Sequence, residues 1–166
     1  MKVSIITVVW NNKATIKNAM DSVLSQDYND IEYIVIDGGS GDGTIDVIDK
    51  YRNKISIFLS EPDKGIYDAL NKGIGLASGE VVAILHSDDQ FCNSRVVSNM
   101  MEKIVQTKVE LCFSNMVLVD KPSGKILRYY MVSYFKIWMF KIGWMPPHPT
   151  CFIKRSLFDE FGMYST

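Results

Sequence analysis

The sequence predicts an α/β fold built on a mainly parallel, Rossmann-like sheet that is flanked by helices. Apolar, β-branched runs alternate along the chain with segments whose apolar residues recur every three or four positions. The connecting loops are short, which is typical of strand–helix–strand units with right-handed crossovers. The run from Val81 to Leu85 is apolar throughout, as expected of a strand buried on both faces of a parallel sheet.

The chain up to residue 108 holds four such pairs of strand and helix. The strands are predicted at 3–9, 31–36, 55–59 and 80–85, and the helices at 14–25, 44–51, 65–77 and 95–105. Asn12 is the expected N-cap of the first helix, because its amide oxygen can accept from the free backbone N–H groups of the first turn.

After Val109 the pattern changes to that of an antiparallel portion. A strand is predicted at 110–119, a hairpin turn at 120–125 and a returning strand at 126–130. Three prolines make residues 145–149 extended, because a residue that precedes proline avoids the helical region. A short strand at 151–153 and a short helix at 156–161 complete the chain.

Length and composition restrict the classes of protein. At 166 residues the chain is expected to form one domain, 1–166. The net charge of −1 and the scattered basic residues exclude a general nucleic-acid binder. Three widely spaced cysteines and the lack of a secretory leader predict a cytoplasmic protein. No apolar run is long enough for a membrane-spanning helix.

The loops after the strands are the candidate functional site, because open parallel sheets bind ligands outside the carboxyl ends of their strands. Their polar side chains are mostly acidic: Asn11, Asn12, Asp37, Ser40, Asp42, Glu61, Asp63, Lys64, His86, Asp88 and Asp89. Two neighbouring carboxylates after a buried strand suit Mg²⁺ or Mn²⁺. They are equally suited to capping the next helix, and this stretch alone favours neither interpretation.

The glycine-rich loop from Gly38 to Gly43 matches no common binding motif. A P-loop needs lysine where Thr44 stands, and a dinucleotide-binding loop needs glycine there and follows the first strand. A calcium-binding EF-hand loop needs an acid or amide where Gly39 stands. The glycines alone therefore predict only a tight turn into a helix.

Four motifs give the chain its resemblance to a known family. They are VSIITVVWNN, IEYIVIDGGSGDGT, EPDKGIYDALNKGIGLASGE and ILHSDD, in that order over residues 3–89. The chain resembles, over nearly its whole length, the family 2 glycosyltransferases of the GT-A fold, which build bacterial surface polysaccharides. The resemblance implies transfer of a sugar from a nucleotide diphosphate donor, taken as a UDP-sugar, to a saccharide or lipid-linked saccharide with inversion. It also divides the chain into a nucleotide-sugar-binding half, 1–108, and a partial acceptor half, 109–166.

The resemblance implies roles for individual residues. The donor-binding residues are Thr7, Val9, Asp37, Lys64, Asn71, Ser87 and Asp88, and Asp88 and Asp89 hold Mn²⁺ or Mg²⁺. A cation that bridges the diphosphate oxygens would stabilise the charge of the leaving group by several kcal/mol. Among these residues, Asp37 contacts the base, while Lys64 and Asn71 face the diphosphate.

Three positions depart from the family pattern. Gly38 replaces a second acid that would read uracil, so the identity of the base is open. Leu70 replaces an arginine, and Lys64 is expected to supply the positive charge instead. His86 stands where the family has Asp or Asn, and it is interpreted as a tolerated variant rather than a ligand.

The catalytic base is not assigned. In the family it is an acid C-terminal to the region that resembles HPTCFIKRSLFDEFGMYST, and it is expected beyond Thr166 in a longer protein. Asp159 and Glu160 are expected to be solvent-exposed. His148 is a candidate contact to the acceptor or the diphosphate, although a histidine between prolines is more commonly structural.

The aromatic stretch from Tyr129 to Met145 has two interpretations. It forms the core and lid of the acceptor half, or it meets a membrane surface through Trp138 and Phe140 with Lys136 and Lys141 at lipid headgroups. The first interpretation is favoured for most of its residues. Peripheral contact with the inner face of the cell membrane and self-association through an apolar patch remain open.

Two other classes of protein share features with this sequence. A sugar-nucleotide pyrophosphorylase shares the architecture but carries a glycine-rich, arginine-containing loop after the first strand, unlike the residues at 10–13. A non-catalytic module that binds nucleotide-sugars would have the same donor site but would show no turnover.

Overall fold

A computed structural model of the protein describes residues 1–121 and 123–166. Its strands are β1 Val3–Val9, β2 Ile31–Asp37, β3 Ile57–Ser60, β4 Val81–Ile84, β5 Leu111–Cys112, β6 Met116–Val119, β7 Ile126–Tyr130 and β8 Phe152–Lys154. Its α-helices are α1 Ile16–Leu24, α2 Thr44–Ile48, α3 Ile66–Leu76, α4 Val96–Thr107 and α5 Arg155–Phe161. Short 3₁₀ helices cover Asp49–Lys54, Ile137–Ile142 and His148–Thr150.

Within the described residues, one mixed sheet has the strand order β3-β2-β1-β4-β8-β5, and β6 and β7 form a separate hairpin. Strands β1 to β4 run parallel, whereas β8 is antiparallel to both β4 and β5. The prediction of a mainly parallel sheet with an antiparallel C-terminal portion is therefore confirmed. Because β2 and β4 lie on opposite sides of β1, the strand order reverses between β1 and β4, where α/β sheets form their ligand crevice.

Helices cover both faces of the central strands. Alternate side chains of β1 point to opposite faces, so Ile5 packs into a cluster with α1 and α4, while Ile6 packs into a second cluster with α3. Each fully buried aliphatic side chain of this kind contributes about 1.5–3 kcal/mol. Burial on both faces explains why the strands are apolar without alternation.

The C-terminal portion differs from the prediction at two places. The strand predicted at 110–119 is two strands, since β5 joins the main sheet and β6 pairs with β7. The segment 145–149 is extended at Pro147, but a 3₁₀ turn begins at His148, closed by a 2.9 Å bond from the Thr150 N–H to the Pro147 carbonyl. The predicted hairpin turn contains Pro122, which lies outside the described residues.

The predicted N-cap of the first helix is wrong. Helix α1 begins at Ile16 with Thr15 as its N-cap residue. The Asn12 amide instead donates to the Ser87 hydroxyl at 2.9 Å, which connects the loop after β1 with the loop after β4. The predicted helix at 44–51 ends as α-helix at Ile48 and continues as a 3₁₀ helix.

A buried carboxylate fastens the amino-terminal edge of the sheet. Glu32 accepts hydrogen bonds from the Lys2 ammonium at 2.8 Å, from the Ser4 hydroxyl, and from both the backbone N–H and the hydroxyl of Ser78. Burial alone would raise the pKa of Glu32, but these hydrogen bonds lower it from 4.5 to about 2. The ionised form of Glu32 therefore stabilises the fold.

We expect acid to destabilise the protein through Glu32. Because its folded-state pKa is lowered, its contribution, on the order of 3 kcal/mol, is present above about pH 4.5 and is lost as the pH falls towards 2. In urea unfolding at a series of pH values, Glu32→Gln should be less stable than wild type near neutrality, with the gap closing in acid. Parallel pH curves for the two proteins would contradict this assignment.

Candidate functional site

The loops that follow β1, β2 and β4 are bonded to one another at the carboxyl edge of the sheet. The Asn11 N–H donates to the Ser40 hydroxyl at 2.8 Å, and the Asn11 side-chain oxygen accepts from the Gly41 N–H at 2.9 Å. On the other side, the Thr15 hydroxyl donates to the Ser87 carbonyl at 2.8 Å. The loop after β1 thus positions the other two loops on either side of the crevice.

Asp37 is the last residue of β2, and hydrogen bonds from the described residues reach only one of its two carboxylate oxygens. Its Oδ2 accepts from the N–H groups of Gly39 and Ser40, at 3.1 and 3.0 Å, and from the Ser60 hydroxyl at 2.7 Å. Its Oδ1 is fully buried and has no partner within the described part of the chain. A buried acceptor of this kind is costly unless a ligand donates to it.

Asp63 occupies the space where the second acid of the family pattern would start. A Cβ added at Gly38 would lie 2.4 Å from Asp63 Oδ2 and 3.4 Å from the Trp10 ring. Asp63 Oδ1 accepts from the Gly65 N–H at 2.9 Å, which fixes the carboxylate. A carboxylate from the 60–65 loop is therefore present beside Asp37. Asp63 is among the polar loop side chains named from the sequence, but no role was predicted for it.

Asp88 and Asp89 form a repelling pair after β4. Burial and the neighbouring charge of Asp88 both raise the pKa of the half-buried Asp89. Asp88 is exposed, and the Lys121 ammonium lies 4.0 Å from its Oδ2. In the described ranges no three His, Cys, Asp or Glu side chains are grouped as metal ligands. The pair itself supplies oxygen atoms of the type that a divalent cation prefers.

Two histidines meet beside this pair. The rings of His86 and His148 lie 6.0 Å apart, and His148 Nε2 is 2.8 Å from the Tyr164 hydroxyl. His86 Nδ1 is buried and unpartnered among the residues that the structure describes. Burial, and secondarily the charge of His86, lower the pKa of His148, so this imidazole is neutral at pH 7. The sequence offered no signal for this contact, because the two histidines are far apart in the chain.

Asn71 lies where it was predicted, on α3, but its amide is already engaged. It donates to the Tyr164 carbonyl at 2.8 Å and accepts from the Tyr164 N–H at 3.0 Å. It therefore fastens the C-terminal segment to α3. An open cleft of about 460 Å³ beside it is lined by Tyr67, His148, Tyr164 and Ser165.

The remaining predicted site residues differ in how deeply their side chains are buried. Thr7 is fully buried and its hydroxyl accepts from the Tyr33 hydroxyl at 3.1 Å, so its side chain faces the core. Val9 is also buried, and its carbonyl accepts from the Gly38 N–H at 2.9 Å. Ser87 is buried between the two loops that it connects. Lys64 is exposed at the start of α3.

A family model covers nearly the whole chain. The model for glycosyl transferase family 2 matches residues 4–162. The chain belongs to this family, as the four motifs predict.

Curated relatives cover the same region. An uncharacterised glycosyltransferase of Mycobacterium tuberculosis is 34% identical over 98% of this chain. The UDP-Glc:alpha-D-GlcNAc-diphosphoundecaprenol beta-1,3-glucosyltransferase WfaP of Escherichia coli is 36% identical over 68% of this chain. The chain spans 62% of the length of the first of these relatives, and the match covers 45% of the second.

Solved structures share the fold. S. aureus TarS 1–349 superposes with a TM-score of 0.82 at 22% identity, covering all of this chain and 50% of TarS. The same protein has been crystallised with UDP-GlcNAc, with a TM-score of 0.81, 21% identity, and coverage of 100% of this chain and 49% of that one. The mannosyltransferase PcManGT of Pyrobaculum calidifontis, in complex with GDP-Man and Mn²⁺, gives 0.74 at 19% identity, covering 99% and 47%. The chain therefore has the GT-A fold that the sequence predicts.

Proposed function

We propose that the chain binds a UDP-sugar for transfer to a saccharide or lipid-linked saccharide, with inversion, in polysaccharide biosynthesis. The observation that carries this proposal is the unpartnered, buried Oδ1 of Asp37 at the carboxyl edge of β2. It lies on the same edge as the acidic pair after β4, where the strand order reverses. A ligand with an N–H donor at one end and a cation-bound anion at the other would satisfy both features.

The base end of this site consists of Asp37, Asp63 and Trp10. The N3–H of uracil can donate a hydrogen bond to a carboxylate oxygen. Asp37 Oδ1 is a carboxylate oxygen without a partner in the described part of the chain. Asp63 replaces the acid that Gly38 lacks, and the exposed Trp10 ring beside it offers an apolar face. The side chains of Thr7 and Val9 are buried. These two residues therefore contribute to the donor site by forming the end of β1, not through side-chain contacts.

The diphosphate end consists of the acidic pair, with Ser87 positioning the loop and Lys64 supplying a positive charge. The raised pKa of Asp89 shows that its charge is poorly offset by the protein alone, and this fits a site for Mn²⁺ or Mg²⁺. Two carboxylates leave positions for water and phosphate oxygens, as Mg²⁺ sites commonly do. When bound, the ion stabilises negative charge on the departing diphosphate.

The transfer step forms a bond from the acceptor oxygen to the anomeric carbon while the bond to the diphosphate breaks. The nucleoside diphosphate leaves with the electron pair, and the acceptor hydroxyl gives its proton to a base. Asp159 and Glu160 are exposed on α5, as predicted, and neither is assigned as that base. The neutral His148 faces the cleft near Tyr67 and is the proposed contact to the acceptor or the diphosphate.

The two halves of the chain take different substrates in this proposal. Residues 1–108 bind the donor, and residues 109–166 belong to the acceptor half. We place the protein in the cytoplasm at the inner face of the cell membrane, where a lipid-linked acceptor would be met. Among the described residues no helix is both long and apolar enough to cross a membrane.

Thermal unfolding with nucleotides tests the donor site. We expect UDP with Mn²⁺ to raise the melting temperature, and to do so more than CDP with the same ion, because cytosine has an acceptor where uracil has the N3–H donor. At a hundredfold excess over Kd, bound ligand stabilises by about 2.7 kcal/mol, a shift of several degrees for a chain of this size. If no nucleoside diphosphate stabilises the protein with Mn²⁺, the proposed donor site is wrong.

The variant Asp37→Asn tests whether Asp37 recognises the nucleobase. The amide oxygen retains the loop hydrogen bonds of Oδ2, while the amide NH₂ replaces the free acceptor with a donor. The variant should lose the preference for UDP yet keep the stabilisation that Mn²⁺ and diphosphate provide. Binding without sugar transfer to any acceptor would favour the non-catalytic module over the transferase.

A further inference from the structure

The aromatic stretch at 129–145 divides into an inner and an outer set of side chains. The inner set packs as a small cluster, with ring centroids of Phe135 and Trp144 4.7 Å apart and those of Phe113 and Phe140 each 5.2 Å from Phe135. This set is a local aromatic cluster in which Phe140 is still 44% exposed. It also fixes the 3₁₀ helix Ile137–Ile142 in place, so the outer side chains are held rather than free.

The outer set projects from this 3₁₀ helix and the residues around it. Ile137 is 80% exposed, Trp138 56%, Ile142 70% and Met145 71%. The neighbouring hairpin of β6 and β7 adds exposed aliphatic and aromatic side chains, namely Val117, Leu118, Val119, Ile126, Leu127 and Tyr129. Successive residues of a strand point to opposite faces, so the hairpin exposes apolar side chains on both of its faces. The surface of a monomeric protein seldom exposes this many large apolar side chains, and such exposure indicates a binding surface.

The charges around this patch are almost all positive. Residues 116–145 contain five basic side chains and one acidic side chain. The whole chain carries −1, so the remainder carries −5 against +4 on this segment. Lys136 directly precedes the 3₁₀ helix and Lys141 lies in its last turn. Both are exposed and form no ion pair within the described ranges.

We propose that the outer apolar set and its lysines form a surface that docks on an anionic lipid bilayer. Trp138, Ile137 and Ile142 would enter the interface between headgroups and acyl chains, while Lys136 and Lys141 meet the lipid phosphates. A tryptophan and aliphatic side chains beside lysines are the usual chemistry of interfacial membrane binding. Trp138, Ile137, Ile142, Lys136 and Lys141 are not residues of the donor loops, so lipid binding through them requires no nucleotide.

The charge pattern decides between a bilayer and a second copy of the chain. A symmetric dimer through this face would bring two segments of charge +4 together, with the lysines of one copy opposite those of the other. An anionic surface instead offsets each of these charges. Burial of the apolar side chains favours both arrangements, but electrostatics favours the bilayer alone.

Vesicle flotation tests the proposal with the 166-residue chain. We expect the protein to float with phosphatidylcholine vesicles that contain about 30 mol% phosphatidylglycerol, and much less with phosphatidylcholine alone. Binding should weaken as salt rises, because headgroup attraction is screened. Trp138 emission should shift to shorter wavelength on binding, and the shift should be lost in Trp138→Ser.

Two variants and a matched control make the test specific. Lys136→Gln combined with Lys141→Gln should weaken binding to the anionic vesicles roughly thirtyfold. Ile137→Ser combined with Ile142→Ser should abolish flotation. Leu76→Ser combined with Val105→Ser, two exposed apolar residues on α3 and α4, should leave it unchanged.

Several outcomes would overturn the proposal. Equal binding to neutral and anionic vesicles would remove the role of the lysines. Self-association in sedimentation experiments without flotation would assign the patch to a second copy. UDP-dependent stabilisation of a protein that does not float would retain the donor site and reject the lipid surface, so the two proposals fail separately.

Discussion

Asp89→Asn is expected to abolish stabilisation by UDP and Mn²⁺ while making the ligand-free protein more stable. Burial and the charge of Asp88 raise the pKa of Asp89, so its ionised form opposes folding. An amide has the same shape without the charge and is a poor ligand for a divalent cation. Thermal unfolding with and without ligand should show a higher melting temperature in the free variant and no shift on addition of UDP and Mn²⁺.

The pH dependence gives this prediction a second readout. Because the folded-state pKa of Asp89 is raised, its contribution to wild-type stability should fall as the pH rises from the ordinary carboxyl pKa through the raised one. The asparagine variant should lack this decrease. Asp27→Asn is the matched control, since Asp27 is exposed and precedes β2 at the opposite edge of the sheet. A free Asp89→Asn protein that is less stable than wild type would refute the electrostatic argument.

Gly79→Ala is expected to destabilise the fold by about 2–3 kcal/mol. A Cβ at this position would lie 2.7 Å from the backbone nitrogen of Ser4 and 3.0 Å from the carbonyl oxygen of Lys2. These are backbone atoms of β1 and the residue before it, so they cannot give way as a flexible side chain would. The Gly79 N–H also donates to the Ser4 hydroxyl, within the network of Glu32. Urea unfolding measures the loss.

Gly75→Ala is the matched control for this substitution. Gly75 lies on the exposed side of α3, and an added Cβ there has no heavy atom of the described chain within 4 Å. Alanine favours helix over glycine by up to about 1 kcal/mol, so this variant should be as stable as wild type or more so. Equal losses in the two variants would contradict the close-packing argument, because a Cβ at Gly75 meets no heavy atom of the described chain.

The central strands were predictable because burial on both faces determines their sequence pattern. β1, β2 and β4 are covered on both faces, so their sequences are mainly apolar without alternation and can be recognised as buried strands. The strand predicted at 110–119 failed for the opposite reason. Its residues are half exposed, so burial does not mark them as one strand or two. The pairing partner changes from β8 to β7 between Cys112 and Met116, and this change does not alter the local sequence periodicity. Tertiary pairing determined that boundary.

The site was predictable in position but not in every contact. The rule for parallel sheets located the loops, and Asp37 lies there with a free acceptor. The partners of Asn71 and His148 were not predictable, since both bind Tyr164 through bonds that span long stretches of sequence. Asp63 was visible as an acid of the right loop, yet only the packing against Gly38 shows which space it fills.

The place of β8 in the sheet has a consequence for the order of events during synthesis. β8 lies between β4 and β5 although it follows both of them in the chain. Until Phe152–Lys154 has left the ribosome, β4 has an unpaired edge on that side and β5 has no neighbour in the sheet. An open apolar edge can pair with other chains. The nascent protein therefore carries this exposed edge while the residues between β4 and β8 are made, and the insertion of three residues removes it.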